Sequence, residues 1–457
     1  MVYDVVVIGG GLAGLLAAIT AAGRQAKVVV LTTGKGALSL SPGGIGLWAG
    51  KRAEAMTVGD DTGEGEGVSG TEVTAKGKTL EGTHGKPEAG GWWRNGVGVS
   101  PRHPYLLAGR ESLRLGLQLF GRAMARYGNS YEPERTDDCL RSPGRIFALP
   151  TAIGGVSLNQ LVPVSLAAGD LGREEDMLVA GLVGLADFYP RLLTENLQRL
   201  LRPPFGLRHV YLDLGLGRLA PLYLAAQLEK ETSLRTKLWR ELRKVVHPGE
   251  RIGLPGILGR HGNATLIREW SAELGAPVFE IPLTSISLPG LRAWEGLVDV
   301  ALKMGVDFRQ GLTVTSAEIR GGICQFVETR TAEGTQRFYG RGFVLATGGL
   351  FGGGIWAGLA GDGQPYWRES IFGLPVALTA GAPDRSRGGL AGFNGLGLEV
   401  DDWLRPLLPG GEEVLAENLF AAGSLLGHYD PWKEGSGQGV AIATGYRAGA
   451  LACGQRC

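Results

Sequence analysis

The chain has 457 residues, 44% hydrophobic and 20% charged, enough apolar material for one large core or two modest ones. Its 46 Lys and Arg offset 45 Asp and Glu, and a formal charge of +1 gives no electrostatic basis for binding nucleic acid or an acidic membrane surface. No run approaches the ~18–20 apolar residues of a membrane span, and 4 cysteines make no disulfide framework, so a reducing, cytoplasmic setting is expected.

An apolar strand, Val5-Val6-Val7-Ile8, starts within a few residues of Met1, and no secretory signal peptide is expected. It runs into Gly9-Gly10-Gly11-Leu12-Ala13-Gly14 and then an apolar helix. A strand, Gly-x-Gly-x-x-Gly and a helix in that order aim free N–H groups and a positive helix end at a phosphate. Gly9 permits the tight turn, Gly11 lets a phosphate come close, and Gly14 lets the helix pack on the strand. Nucleotide or flavin phosphate binding at Gly9, Gly11, Leu12, Ala13 and Gly14 is therefore expected. Gly23 ends the helix and Lys27 to Leu31 form the second strand. An acid that would hold an adenosine ribose is missing from the end of that strand, which reads Leu31-Thr32-Thr33 and leaves Thr32 as the candidate contact. A mononucleotide and a differently held dinucleotide both remain open.

The next segment, Ala37-Leu38-Ser39-Leu40-Ser41-Pro42-Gly43-Gly44-Ile45, has the residues of a plain turn. It also resembles the bend that flavoproteins of the fumarate-reductase and aspartate-oxidase kind lay beside the cofactor, which would make Ser39, Ser41, Gly43 and Gly44 flavin contacts. Gly59 to Gly96 is rich in glycine, though 77 glycines are spread through the chain, and reads as a long exposed loop without chemistry.

The middle does not read as a second nucleotide fold. Leu178 to Leu185 is a buried strand, followed by a helix from Asp187, a candidate N-cap, through Leu200. Arg251 to Gly256 is a strand and turn, Ala264 to Leu274 a helix, Pro277 to Ile281 a strand, and Gly290 to Met304 an amphipathic helix. The expected class is α/β: a Rossmann-like flavin-binding domain split in sequence, with an inserted α/β capping domain. The expected boundaries are 1–50 and 342–457 for the two halves, 51–100 for the glycine-rich insertion and 101–341 for the cap.

Near the far end, Phe343-Val344-Leu345-Ala346-Thr347-Gly348-Gly349 is a strand ending in small residues, with Thr347 and Gly348 as candidate contacts. The strand Leu419-Phe420-Ala421-Ala422-Gly423 leads to Ser424, where an acid would usually hold ribitol hydroxyls and serine could do so with one charge fewer. Gly435-Ser436-Gly437-Gln438-Gly439-Val440 opens the last helix, Ala441 to Ala452. The amides of Gly437, Gln438, Gly439 and Val440 are expected to face a flavin ring and favour its reduced, anionic form.

His103-Pro104-Tyr105, Gly181 to Phe188, Val344 to Gly348 and Glu417 to Pro431 together resemble the B subunit of the anaerobic glycerol-3-phosphate dehydrogenases. Gly-Leu-x-Gly-Leu-x-Asp-Phe and Gly-Ser-Leu-Leu-Gly-x-Tyr-Asp-Pro are the narrow motifs, and the likeness spans the chain apart from 59–96. The resemblance implies a flavin subunit, associated in this family with FMN, although the intact first loop suits FAD equally. It implies two partners, an FAD-containing catalytic subunit and an iron–sulfur membrane-anchoring subunit. The complex would oxidise sn-glycerol 3-phosphate to dihydroxyacetone phosphate and pass electrons to membrane quinone.

Other candidates have plainer readings. The six histidines lack metal-ligand spacing, and no metal is expected. His428, between two glycine bends, is a candidate proton shuttle or simply a loop residue. Arg145, Arg292 and Arg387 could in principle hold a phosphate, but each reads as a solvated surface arginine. Cys453 and Cys457 match neither a redox pair nor an iron–sulfur run. Two other functions stay open: a stand-alone fumarate-reductase-like flavin oxidoreductase, and a scaffold subunit that has lost its flavin.

Overall fold

A computed structural model describes residues 2–48, 100–134, 136–140, 145–261, 263–284, 287–331, 334–362, 364–378 and 395–454. The glycine-rich stretch 59–96, Arg387 and Cys457 lie outside the described residues.

Among the described residues, strands from both ends of the chain build one seven-stranded sheet. The first strand, Val2–Ile8, lies parallel between Val28–Thr32 and the long strand Gly334–Leu345, and Asp307–Gln310 extends the sheet beyond Val28–Thr32. The valine and leucine runs are buried on both faces, the pattern of central parallel strands covered by helices. The long strand does two jobs. Its opening residues pair antiparallel with Ile323–Thr331, which in turn pairs with Val314–Arg320, while Phe343 to Leu345 pair parallel with Leu419–Ala421. On strand pairing, residues 307–341 thus belong to this first sheet, although the sequence pattern groups them with the cap.

Helices from both ends of the chain pack together beside the sheet. The first, Leu12–Ala22, lies against the last, Gly437–Ala452, which lies in turn against Arg110–Arg126. A Cβ at Gly445 or Gly449 would come 2.4 and 2.3 Å from the carbonyl oxygens of Ala13 and Ala17, so these two helices touch backbone to backbone. Gly116 makes the same accommodation for Ile442.

The inserted unit has its own four-stranded parallel sheet, ordered Val278–Ile281, Arg251–Pro255, Met177–Leu182 and Leu207–Leu212, with a separate apolar core. Its first strand also ends at a glycine, but a Cβ at Gly184 would stand 1.8 Å from the Gly217 carbonyl oxygen, so the turn is filled by protein. The helix expected from Asp187 begins instead at Pro190 and runs to Leu201. Asp187 is left-handed (φ 64°), and a residue in that conformation cannot open a right-handed helix.

The helix Leu288–Lys303 joins the two units. Ser287 caps it, accepting from the Gly290 amide. Arg292, expected at the surface, is buried: Nη1 lies 2.6 Å from Glu280 of the inserted sheet, Nη2 3.0 Å from its other oxygen, and the guanidinium also donates to the Gly259 carbonyl. Burying a guanidinium requires such a full set of acceptors. Glu280→Gln, which leaves Arg292 charged and buried, is expected to cost about 3–5 kcal/mol of stability. Replacing both residues by Met should recover most of that loss, as read by urea unfolding.

Candidate flavin site

Register decides where the site lies. Ile8 pairs with Leu345, and Leu345 with Ala421, so three adjacent parallel strands end level with one another. The loops that follow them, Gly9–Gly11, Ala346–Gly349 and Ala422–Ser424, emerge side by side at the carboxyl edge of the sheet, where open parallel sheets bind ligands.

Within the first loop the glycines have different duties. Gly9 has φ 116°, and a Cβ there would be 2.1 Å from the Ala346 carbonyl oxygen. A Cβ at Gly14 would be 2.0 Å from the Gly9 carbonyl oxygen. Both glycines let segments of the protein meet. Gly11 is otherwise: among the described residues beyond its chain neighbours, nothing lies within 4 Å of the position its Cβ would take. That space adjoins the first turn of the Leu12–Ala22 helix, whose leading amides at Leu12, Ala13 and Gly14 have no intrahelical acceptor.

The other two loops close around it. Gly423 (φ 77°) sits against Ala13, and its amide donates to Thr444 Oγ1 of the last helix at 2.9 Å. The Gly349 amide donates to Ser424 Oγ at 2.9 Å, which leaves the serine proton to donate elsewhere. Gly348 shares this turn (φ 87°). Thr347 Oγ1 is buried with no hydrogen-bond partner among the described residues. An orphaned buried hydroxyl beside an open glycine and free helix amides fits a ligand with phosphate and polyol oxygens, as a flavin has.

Not every expected contact faces that space. Thr32 Oγ1 donates to the Gly34 carbonyl, and the side chain packs against Gly10. Ser39 Oγ donates to Gly36 O and Ser41 Oγ accepts from the Gly43 amide, the internal bonds of a turn. Gly43 packs on Pro289, and a Cβ at Gly44 would collide with Asn159. The bend is thus seated on the Leu288–Lys303 helix; the Ser39 proton is used within the turn, while Ser41, an acceptor there, keeps its own proton to donate elsewhere. The last helix begins at Gly437, four residues before its expected start, and two of its four expected amides are spoken for. Gly439 N–H donates to the Gly46 carbonyl (3.1 Å) and Val440 N–H to Ser436 O (2.9 Å). Gly439 is glycine because a Cβ would lie 1.9 Å from Tyr105 Oη. Gly437 and Gln438 keep the leading amides that helix geometry leaves without an intrahelical acceptor.

The remaining candidates are engaged by protein. His428 Nε2 lies 2.8 Å from both oxygens of Glu399, which also binds Arg102, and Ser100 Oγ is 3.4 Å from Nδ1. Arg145 pairs with Asp170 and lies over the Phe147 ring. Burial raises the Cys453 thiol above its ordinary pKa. Among the described residues no three His, Cys, Asp or Glu side chains converge as metal ligands.

Two features of the site carry no signal in the local sequence pattern. Trp294 is buried and donates its indole N–H to the Gly10 carbonyl at 2.8 Å, with Lys35 over its ring. Gly36 presses on the same loop, since a Cβ there would be 2.8 Å from Gly11 Cα. The second is a polar cluster below the last helix, where His103, Glu434 and Ser436 meet. His103-Pro104 does have the look of a helix start, with histidine as cap and proline in the first turn, but nothing local links it to Glu434.

A sequence profile described as an FAD binding domain matches residues 4–64 and 148–440. The chain belongs to this FAD binding domain family, and it is a flavin-binding oxidoreductase. More particularly, it is 28% identical over 466 residues to a protein of Halobacterium salinarum named as the probable B subunit of an anaerobic glycerol-3-phosphate dehydrogenase, covering 98% of this chain and 97% of that one. It is likewise 28% identical over 464 residues to the B subunit of the anaerobic glycerol-3-phosphate dehydrogenase of Vibrio cholerae, covering 98% and 96%. Among solved structures, 3-ketosteroid Δ1-dehydrogenase from Sterolibacterium denitrificans aligns over 100% of both chains at 13% identity with a TM-score of 0.43.

Because the space at Gly11 is open, Gly11→Val should fold normally by circular dichroism yet lose bound flavin, with affinity at least about tenfold weaker. Gly9→Val, which collides with Ala346, should lose the fold itself. Equal flavin absorbance per chain in Gly11→Val and wild type would remove the phosphate from this loop.

Proposed function

We propose that this chain is the flavin subunit of a quinone-linked glycerol-3-phosphate dehydrogenase complex. The observation that carries the reading is the match, over 98% of the chain, to relatives named as the B subunit of that enzyme. The partners are an FAD-containing subunit that oxidises sn-glycerol 3-phosphate to dihydroxyacetone phosphate and an iron–sulfur subunit that anchors the complex at the membrane. No helix among the described residues is long and apolar enough to cross a membrane, so membrane contact is assigned to a partner.

The leading amides of the Leu12–Ala22 helix would hold the flavin phosphate, Thr347 and Ser424 the ribityl hydroxyls, and the amides of Gly437 and Gln438 the ring edge. When bound, the flavin supplies reversible two-electron uptake. We infer FMN, on the ground that the second strand ends at Thr32 with no acid to hold an adenosine ribose. Trp294 holds Gly10 O, Gly36 lies on Gly11, and the Thr32 proton is used at Gly34. Release of the cofactor and its identification by mass is the direct check, and FAD as the sole product would overturn that inference.

Oxidising a polyol phosphate requires a base and a phosphate clamp in one place. Arg145 and Arg292 are committed to Asp170 and Glu280, and His428 to Glu399. This supports an electron-carrying role, with substrate handled by the partner. The purified chain should bind flavin but reduce dye slowly or not at all with glycerol 3-phosphate, and activity should appear on adding the partner. His428→Ala should lower the complex's rate by about tenfold or less. Robust turnover by the isolated chain would place a substrate site here.

A further inference from the structure

The start of the last helix is held by a largely enclosed carboxylate. Glu434 closes the short helix Pro431–Glu434, and only 12% of its side chain is exposed. Its Oε1 accepts from the Asp430 amide at 3.1 Å. Its Oε2 accepts from Ser436 Oγ at 2.6 Å and faces His103 Nε2 at 3.1 Å. The His103 tautomer follows from its other nitrogen: Nδ1 accepts from the Tyr105 amide, so the proton of the neutral ring is on Nε2 and points at Glu434. His103 and Ser436 are fully enclosed. The Asp430 carboxylate is occupied elsewhere, accepting from the Trp432 and Lys433 amides of the short helix with the Lys433 ammonium 3.8 Å away.

Ser436 is the N-cap of Gly437–Ala452 but does not cap it with its side chain, which turns to Glu434 instead. The positive end of that helix therefore has a carboxylate hydrogen-bonded to its N-cap. Beside the same cluster the Tyr429 hydroxyl is buried without a partner among the described residues, its pKa raised chiefly by burial.

We propose that Glu434 is a positioning residue that sets the reduction potential of the flavin. Its charge, fixed by His103 and Ser436, offsets the positive end of the last helix and so lowers the potential. This rests on the flavin site proposed above. A flavin reduced to its anionic form is stabilised by an uncompensated helix amino end, and a carboxylate at that end opposes it. The orphaned Tyr429 hydroxyl marks the same place as one where a further polar group is received.

The test uses the full chain purified with its own flavin, the midpoint potential being read by reductive titration against reference dyes. Glu434→Gln removes the charge and should raise the potential, favouring the reduced form about tenfold, about 30 mV for a two-electron couple. Ser436→Ala keeps the charge but takes away one of its donors, and should lower the potential. Opposite shifts are the signature, since a purely structural role would loosen the flavin alike in both. An unchanged potential in Glu434→Gln, or shifts of the same sign, overturns the proposal. If Glu434→Gln does not fold, Ser436→Ala decides it, and an unchanged or raised potential there overturns it. A wild-type chain that binds no flavin would instead overturn the proposed function.

Discussion

Backbone meeting backbone is the constraint on which this structure depends. The first and last helices come from opposite ends of the chain, and they approach so closely that Gly445 and Gly449 have no room for a Cβ against the Ala13 and Ala17 carbonyls. Gly9 makes the same concession to Ala346, and Gly342 to the Ala452 carbonyl. These contacts draw the N-terminal phosphate loop and the C-terminal Gly423–Ser424 turn onto one edge of one sheet. A methyl group at any of them would force the two halves apart, and with them the two sides of the site. Close packing without side chains also explains why the last helix is so rich in glycine and alanine.

A single helix, Leu288–Lys303, couples that edge to the inserted unit. Pro289 and Gly290 seat the serine bend, Arg292 reaches Glu280 and Gly259 of the inserted unit, and Trp294 holds the Gly10 carbonyl. The buried ion pair is weak as a net source of stability, because desolvating both charges offsets most of their attraction. Its geometric effect is stronger. Rotating the inserted unit away from the sheet would leave two charges uncompensated in the interior, so the pair opposes separation of the unit from the glycine loop. The site is thereby built on rigid elements, as a cofactor that must hold its potential requires.

The electrostatics at the two helix ends differ in kind. The amino end of Leu12–Ala22 has no acidic residue in its first turn and opens onto free space at Gly11, which suits a phosphate dianion. The amino end of Gly437–Ala452 has Glu434 bonded to its N-cap. One helix start has no acidic side chain in its first turn, and the other has a carboxylate on its N-cap. The histidine that anchors Glu434 lies more than three hundred residues earlier, as the N-cap of Pro104–Ala108.

Local pattern carried the strand–glycine loop–helix unit, the split sheet and the α/β class, because each is written in consecutive residues: an apolar run, glycines at fixed offsets, then a helical period. The same patterns in Phe343–Gly349 and Leu419–Gly423 located the returning strands. Whether a given glycine serves a ligand or a neighbour was not local. Gly11 and Gly439 look alike in sequence, yet one faces open space and the other Tyr105. Arg292 read as a surface arginine because Glu280 and Gly259 reach it only through the fold. Likewise His103, Glu434 and Ser436 became one cluster only when strands and helices from both ends were packed. The sequence by itself determined which elements form and where a glycine loop meets a helix end, since backbone geometry and helix ends act within a few residues. The tertiary structure alone decided which amides, hydroxyls and charges remain free for a cofactor, because that depends on what distant chain has already claimed them.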